Sequence, residues 1–133
     1  VLLCSGHVYF TLEAPRRERS LEDVAILRVE QLYPFPKKEL LDIAARYKHA
    51  REWCWVQEEP RNMGAWQFVE PYLRDLLPPG GELSCVSRKA SASTAAGAHR
   101  LHDAQERSLI EKALGPVHSD ATAQTAGNGV AAH

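Results

Sequence analysis

Apolar positions fall along this chain in short blocks, and two kinds of block alternate. Val1-Leu2-Leu3-Cys4 is a continuous apolar run closed by Ser5-Gly6. A run this short, bounded by turn residues, predicts a strand buried on both faces. Val24–Val29, rich in β-branched residues, predicts a second strand, Glu52–Gln57 a third and Glu82–Arg88 a fourth. Between them the apolar residues recur at helical spacing. A segment from His7 to about Glu13 has helical character and ends before Pro15. In Lys37–Tyr47, Leu40, Leu41, Ala44, Ala45 and Tyr47 share one face, and Pro36 stands where it can open the helix. In Ala65–Leu77, Ala65, Val69, Tyr72, Leu73, Leu76 and Leu77 form the stripe, with a kink or restart expected at Pro71. A last helix, from about His99 to Leu114, presents Leu109, Ile110, Ala113 and Leu114.

Strand and helix in alternation with short connections predict an α/β fold of three layers, αβα, around a mostly parallel sheet. In such sheets ligands gather at the carboxyl ends of the strands. Here those ends are Ser5-Gly6-His7, Arg28 to Gln31, Gln57 to Asn62 and Arg88 to Ser93. Residues 1–116 read as one domain, and the Ala, Thr, Gly and Asn tail 117–133 reads as disordered because it has no periodicity. A length of 133 residues allows one core and not two. The chain opens on Val1 and enters a strand at once, as a piece of something longer would.

Charge narrows the partners. Sixteen Lys and Arg against 17 Asp and Glu give a net charge of -1, which supplies no general attraction for nucleic acid or acidic membranes. No run approaches a membrane span or a secretory leader. Cys4, Cys54 and Cys85 are odd in number and lie inside apolar runs, as in a reducing compartment.

No Gly-x-Gly-x-x-Gly and no Gly-x-x-x-x-Gly-Lys-Ser/Thr occurs, so neither a dinucleotide fingerprint nor a phosphate loop is present. Cys54, between two tryptophans, reads as a buried hydrophobe rather than a nucleophile. Glu58 and Glu59 are adjacent on an extended chain and point opposite ways, so one of them pairs more plausibly with Arg61 than with its neighbour. His102 and Glu106 share a helix face, yet the spacing shows no third ligand, and no metal site is expected there. Arg88 and Lys89, followed by Ser91, Ser93 and a helix start, form a loop able to hold an anion.

Four motifs then resemble a known family. Ser5-Gly6 with Val8-Tyr9, the run Arg28-Val29-Glu30-Gln31-Leu32-Tyr33-Pro34-Phe35-Pro36, the run from Val56 through Glu58-Glu59-Pro60-Arg61-Asn62-Met63-Gly64 to Trp66, and Ser87 to Ser93 through His99 and His102 are similar to the C-terminal domain of the E1 component of 2-oxoglutarate dehydrogenase. The resemblance runs from Val1 to about Leu114.

It implies a transketolase C-terminal-like domain within a thiamine-diphosphate enzyme. That enzyme decarboxylates 2-oxoglutarate in the tricarboxylic acid cycle and succinylates the lipoyl group of its E2 partner, a dihydrolipoamide succinyltransferase. Thiamine diphosphate and Mg²⁺ are held outside this segment, which by itself is expected to be non-catalytic. The implied partners are the upstream domains of the same subunit, a second copy in a homodimer, and E2, in the bacterial cytoplasm or the mitochondrial matrix. The resemblance carries His7, Tyr9, Arg28, Gln57 and Arg61 as candidates for a nucleotide or acyl-CoA effector site. The family commonly has Lys where His7 stands, so phosphate binding there is weakened. Arg28 and Gln57 have a plainer reading, in which they satisfy backbone groups at strand ends and across the dimer contact. Arg61 and Trp66 are candidate interface residues, with Trp66 alternatively a core residue of its helix. A second class stays open: a free-standing ligand-binding or assembly module that reuses the fold.

Overall fold

Alternation within the strands builds the molecule. In the computed structural model, which describes residues 1–92 and 99–115, β1 (Leu2–Cys4) and β3 (Glu52–Pro60) send alternate side chains to opposite faces of a sheet. Leu3, Trp53 and Trp55 point to one face and Leu2, Cys4, Cys54 and Val56 to the other. Each set anchors its own buried cluster, so the central strands are apolar throughout.

The remaining elements are α1 (Val8–Glu18), β2 (Ile26–Arg28), α2 (Lys37–Ala44) running into a 3₁₀ turn at Ala45–Tyr47, α3 (Trp66–Leu76), β4 (Glu82–Arg88) and α4 (His99–Leu114). The sheet order is β2-β1-β3-β4, and every pairing is parallel. Parallel neighbours require crossovers, and helices supply them. Helices α2 and α3 bring Leu40, Ala44, Trp66, Val69, Leu73 and Leu76 onto the tryptophan face. Helices α1 and α4 bring Val8, Leu12 and Leu109 onto the cysteine face. The architecture is the three-layer αβα sandwich that the alternation predicts.

Four elements differ locally from the sequence pattern. Helix α1 runs through Pro15 to Glu18 instead of stopping near Glu13. It is closed by the amides of Ser20 and Leu21 donating to the carbonyls of Arg17 and Arg16, with Ser20 at φ 51°. Strand β2 is shorter than the apolar run suggests, three residues against six. Helix α3 likewise runs unbroken through Pro71, which lies on its exposed side. Strand β3 continues past Gln57 to Pro60 across an irregularity in its register with β4 between Val56 and Pro60. The expected tail 117–133 lies outside the described residues.

Candidate functional site

The carboxyl ends of β1, β2 and β3 bring some of the expected residues together. After β1 the chain turns at Gly6, φ 74°, directly into α1, which places His7, Tyr9 and Phe10 at the top of the sheet. Arg28 ends β2 beside Cys4. Its guanidinium lies 4.9 Å from the centroid of the Phe10 ring and 5.5 Å from that of Tyr9, while its Nε pairs with Glu30 Oε1 at 2.6 Å. The Tyr9 and Phe10 rings meet edge-on at 5.4 Å. His7 faces Phe10 at 6.2 Å and Glu58 Oε1 at 3.6 Å. Glu58 therefore faces His7 and not Arg61. The result is a planar cation over two rings with Phe10 more than half exposed, a surface suited to a flat or anionic group. Phe10 falls outside the quoted motifs, and Glu30, although inside the Arg28–Pro36 run, is not singled out by sequence because only the structure shows its pairing with Arg28.

Gln57 turns into its own loop. It is buried, and both of its polar atoms are used internally. Its Oε1 accepts from the Trp55 indole N–H and the Trp66 amide, each at 3.1 Å. Its Nε2 donates to the carbonyls of Met63 at 2.8 Å, Pro60 at 3.0 Å and Glu59 at 3.3 Å. This is the plainer of its two readings, a strand-end residue that satisfies backbone groups. Gly64 closes the same loop at φ 67°, where a Cβ would stand 3.1 Å from Gln57 Oε1.

Arg61 and Trp66 form a different group. Trp66 is 5% exposed and packs in the tryptophan-face core. Arg61 is exposed and lays its guanidinium 5.7 Å from that ring's centroid.

The basic loop after β4 borders an open cavity of about 480 Å³ lined by Arg88, Lys89 and Ser91 together with Gln105, Ser108 and Lys112 of α4. Ser93 lies outside the described residues. Arg88 is braced rather than loose: its Nε donates to the Glu58 carbonyl at 2.7 Å and its Nη1 to Gln105 Oε1 at 3.4 Å. Asn62 pairs with the Ser91 backbone in both directions, at 2.9 and 3.0 Å. That pairing takes up the Ser91 amide, and the cationic character of the rim comes from the side chains of Arg88, Lys89 and Lys112.

No thiol is activated. Burial pushes the Cys4 thiol up to about 12 and the Cys85 thiol up to about 11, and it raises Cys54 as well. A desolvated thiol of this kind is a poor nucleophile at neutral pH.

The sequence model of the family described as 2-oxoglutarate dehydrogenase C-terminal matches residues 1–114. The 2-oxoglutarate dehydrogenase E1 component of Cupriavidus necator is 43% identical over 114 residues, covering 86% of this chain and 12% of that protein. The proteins of the same description from Brucella anthropi and Brucella ovis are each 47% identical over 119 residues, again 86% of this chain and 12% of theirs. The chain thus spans a small fraction of the length of the relatives it matches.

Proposed function

The chain belongs to the 2-oxoglutarate dehydrogenase C-terminal family, and from that premise we propose that it serves as the non-catalytic C-terminal domain of an E1 component. The observation that carries this reading is the family match over residues 1–114, set beside relatives of which the chain covers 12%. The whole enzyme would decarboxylate 2-oxoglutarate and pass the succinyl group to the lipoyl arm of its E2 partner. It would do so as a homodimer, in a bacterial cytoplasm or a mitochondrial matrix. No helix among the described residues is long and apolar enough to cross a membrane.

Thiamine diphosphate supplies the carbanion chemistry of such an enzyme when bound with Mg²⁺. The described residues of this chain do not fit that group. A diphosphate and its Mg²⁺ call for a backbone cradle with oxygen ligands beside it. At the ends of β1 and β3, Gln57 fills the loop interior, and its donors and acceptors are already engaged. This chain's own contribution is therefore to fold, to support assembly of the subunit and to present the Arg28 edge. The cluster of Arg28, half-buried Tyr9 and exposed Phe10, with His7 beside it, favours an effector role for that edge, with Arg61 as a separate contact.

A chimera tests the proposal. Residues 1–115 of this chain would replace the matching C-terminal segment of the Cupriavidus necator E1 component. The expected outcome is a dimer that retains 2-oxoglutarate decarboxylation, while residues 1–115 alone give neither turnover nor calorimetric binding of thiamine diphosphate with Mg²⁺. A folded chimera with no activity would overturn the domain assignment, and saturable cofactor binding by the segment alone would overturn its non-catalytic role.

A further inference from the structure

Helix α4 carries an unusual stripe. His99, His102, Asp103 and Glu106 stand at positions i, i+3, i+4 and i+7, which on a helix is a single face. Sequence spacing alone shows only His102 and Glu106 as a pair. The structure adds Asp103: one ligand atom from each of His102, Asp103 and Glu106 lies within 4.8 Å of the other two. Asp103 also stands between two imidazoles, with Oδ2 3.6 Å from His99 Nε2 and Oδ1 3.9 Å from His102 Nδ1.

From this arrangement we propose that the N-terminal half of α4 is a binding site for a divalent transition-metal ion of the Zn²⁺ class. His102, Asp103 and Glu106 are its ligands, and His99 is within reach as a fourth. The donor chemistry selects the ion. Imidazole nitrogens together with carboxylate oxygens suit Zn²⁺, Ni²⁺ and Co²⁺, whereas Ca²⁺ and Mg²⁺ take oxygen ligands alone. The spacing is compatible with one ion, because ligands bonded at about 2.0–2.2 Å in a tetrahedron lie roughly 3.5 Å apart. In the structure the three ligand atoms stand within 4.8 Å of one another, close to that separation. The side chains of His102 and Asp103 are 64% and 45% exposed.

A partner from a different helix supports the acidic ligand. Thr11 Oγ1 on α1 donates to Glu106 Oε1 at 3.4 Å. Such outer contacts orient metal ligands and leave the second carboxylate oxygen to face the ion. The site would thus span the α1–α4 layer, and occupancy would stabilise the fold by mass action.

The test is calorimetric titration of the 133-residue chain with Zn²⁺ alone, followed by the visible spectrum of the Co²⁺ form. One equivalent should bind with a Kd below about 100 μM, and the unfolding midpoint should rise with added Zn²⁺. His102→Ala and Glu106→Gln should each weaken binding by about tenfold or more, since each removes a direct ligand. His49→Ala should leave it unchanged. Far-UV circular dichroism would verify that these surface variants stay folded. The Co²⁺ spectrum should lack a thiolate charge-transfer band, separating this site from the three cysteines. Absence of saturable binding, binding indifferent to His102→Ala and Glu106→Gln, or a thiolate band would each overturn the proposal.

Discussion

Gln57 shows how one side chain can hold a whole loop. Its amide ties two tryptophans to three carbonyls of the β3–α3 connection, inside a core where an unpaired polar group is costly. We expect Gln57→Leu to lower stability by about 3 kcal/mol or more, because it strands buried N–H and carbonyl groups at about 1–3 kcal/mol each. Gln57→Glu should fall nearly as far, since an ionised carboxylate cannot donate to the Pro60 and Met63 carbonyls. Denaturant melts of the two variants would check both, and a loss under about 1 kcal/mol would show that water or rearrangement replaces the amide. Trp66, its neighbour in the network, should behave as core: Trp66→Ala is expected to cost about 3–5 kcal/mol in the chain alone. Exposed Arg61→Ala should cost about 1 kcal/mol or less, the scale of a surface cation–π contact. Equal small effects would return Trp66 to the interface reading. Sequence alone leaves both roles of Trp66 open, since Trp is equally at home in a core and at an interface. Only its contacts decide.

Among the elements, the positions of strands and helices are legible because burial imposes their periods. β4 spans Glu82–Arg88 and α4 spans His99–Leu114, as their patterns suggest. Proline is where local rules mislead. Pro15 and Pro71 each remove a helical hydrogen bond, yet both helices continue: α1 is seated in the core before its proline and α3 on both sides of its own. Leu12 is fully buried before Pro15, and Leu73 is 1% exposed just after Pro71. Helix α1 ends at Glu18, and the turn just beyond it is made by Ser20, a non-glycine residue held at φ 51°. Left-handed backbone costs an L-residue about 1–2 kcal/mol, and glycine avoids that at some cost in entropy. Ser20→Gly should therefore stabilise the chain by about 0.5–1 kcal/mol, a rise of a few degrees in the melting midpoint. An unchanged or lower midpoint would mean that the serine side chain compensates.

At the scale of the whole molecule, the two faces of the sheet are chemically different, and the difference makes a pH prediction. Tryptophans dominate one face, while Cys4 and Cys54 lie in the other and Cys85 packs at the edge of the tryptophan cluster. All three thiols are raised by burial, Cys85 to about 11 and Cys4 to about 12. In the unfolded chain a thiol titrates near 8.5, so above that pH the unfolded state gives up protons that the folded state keeps. With fewer protons bound on unfolding, stability falls as pH rises. The thiol contribution is therefore complete below about pH 8.5 and is lost progressively toward pH 11 for Cys85 and 12 for Cys4. Other groups titrate in the same range, so the measurement is a difference. Cys4→Ala should be less stable than the parent near pH 7 because it leaves a small cavity. The gap should shrink as the pH climbs, since the parent alone bears the growing penalty for a neutral, buried Cys4. In the folded chain the thiols should also resist alkylation at pH 8 until denaturant is added. A gap that stays constant between pH 7 and pH 10.5, or rapid labelling of Cys4 in the native state, would show that the cysteine face admits water, and the alkaline weakness would then need another source.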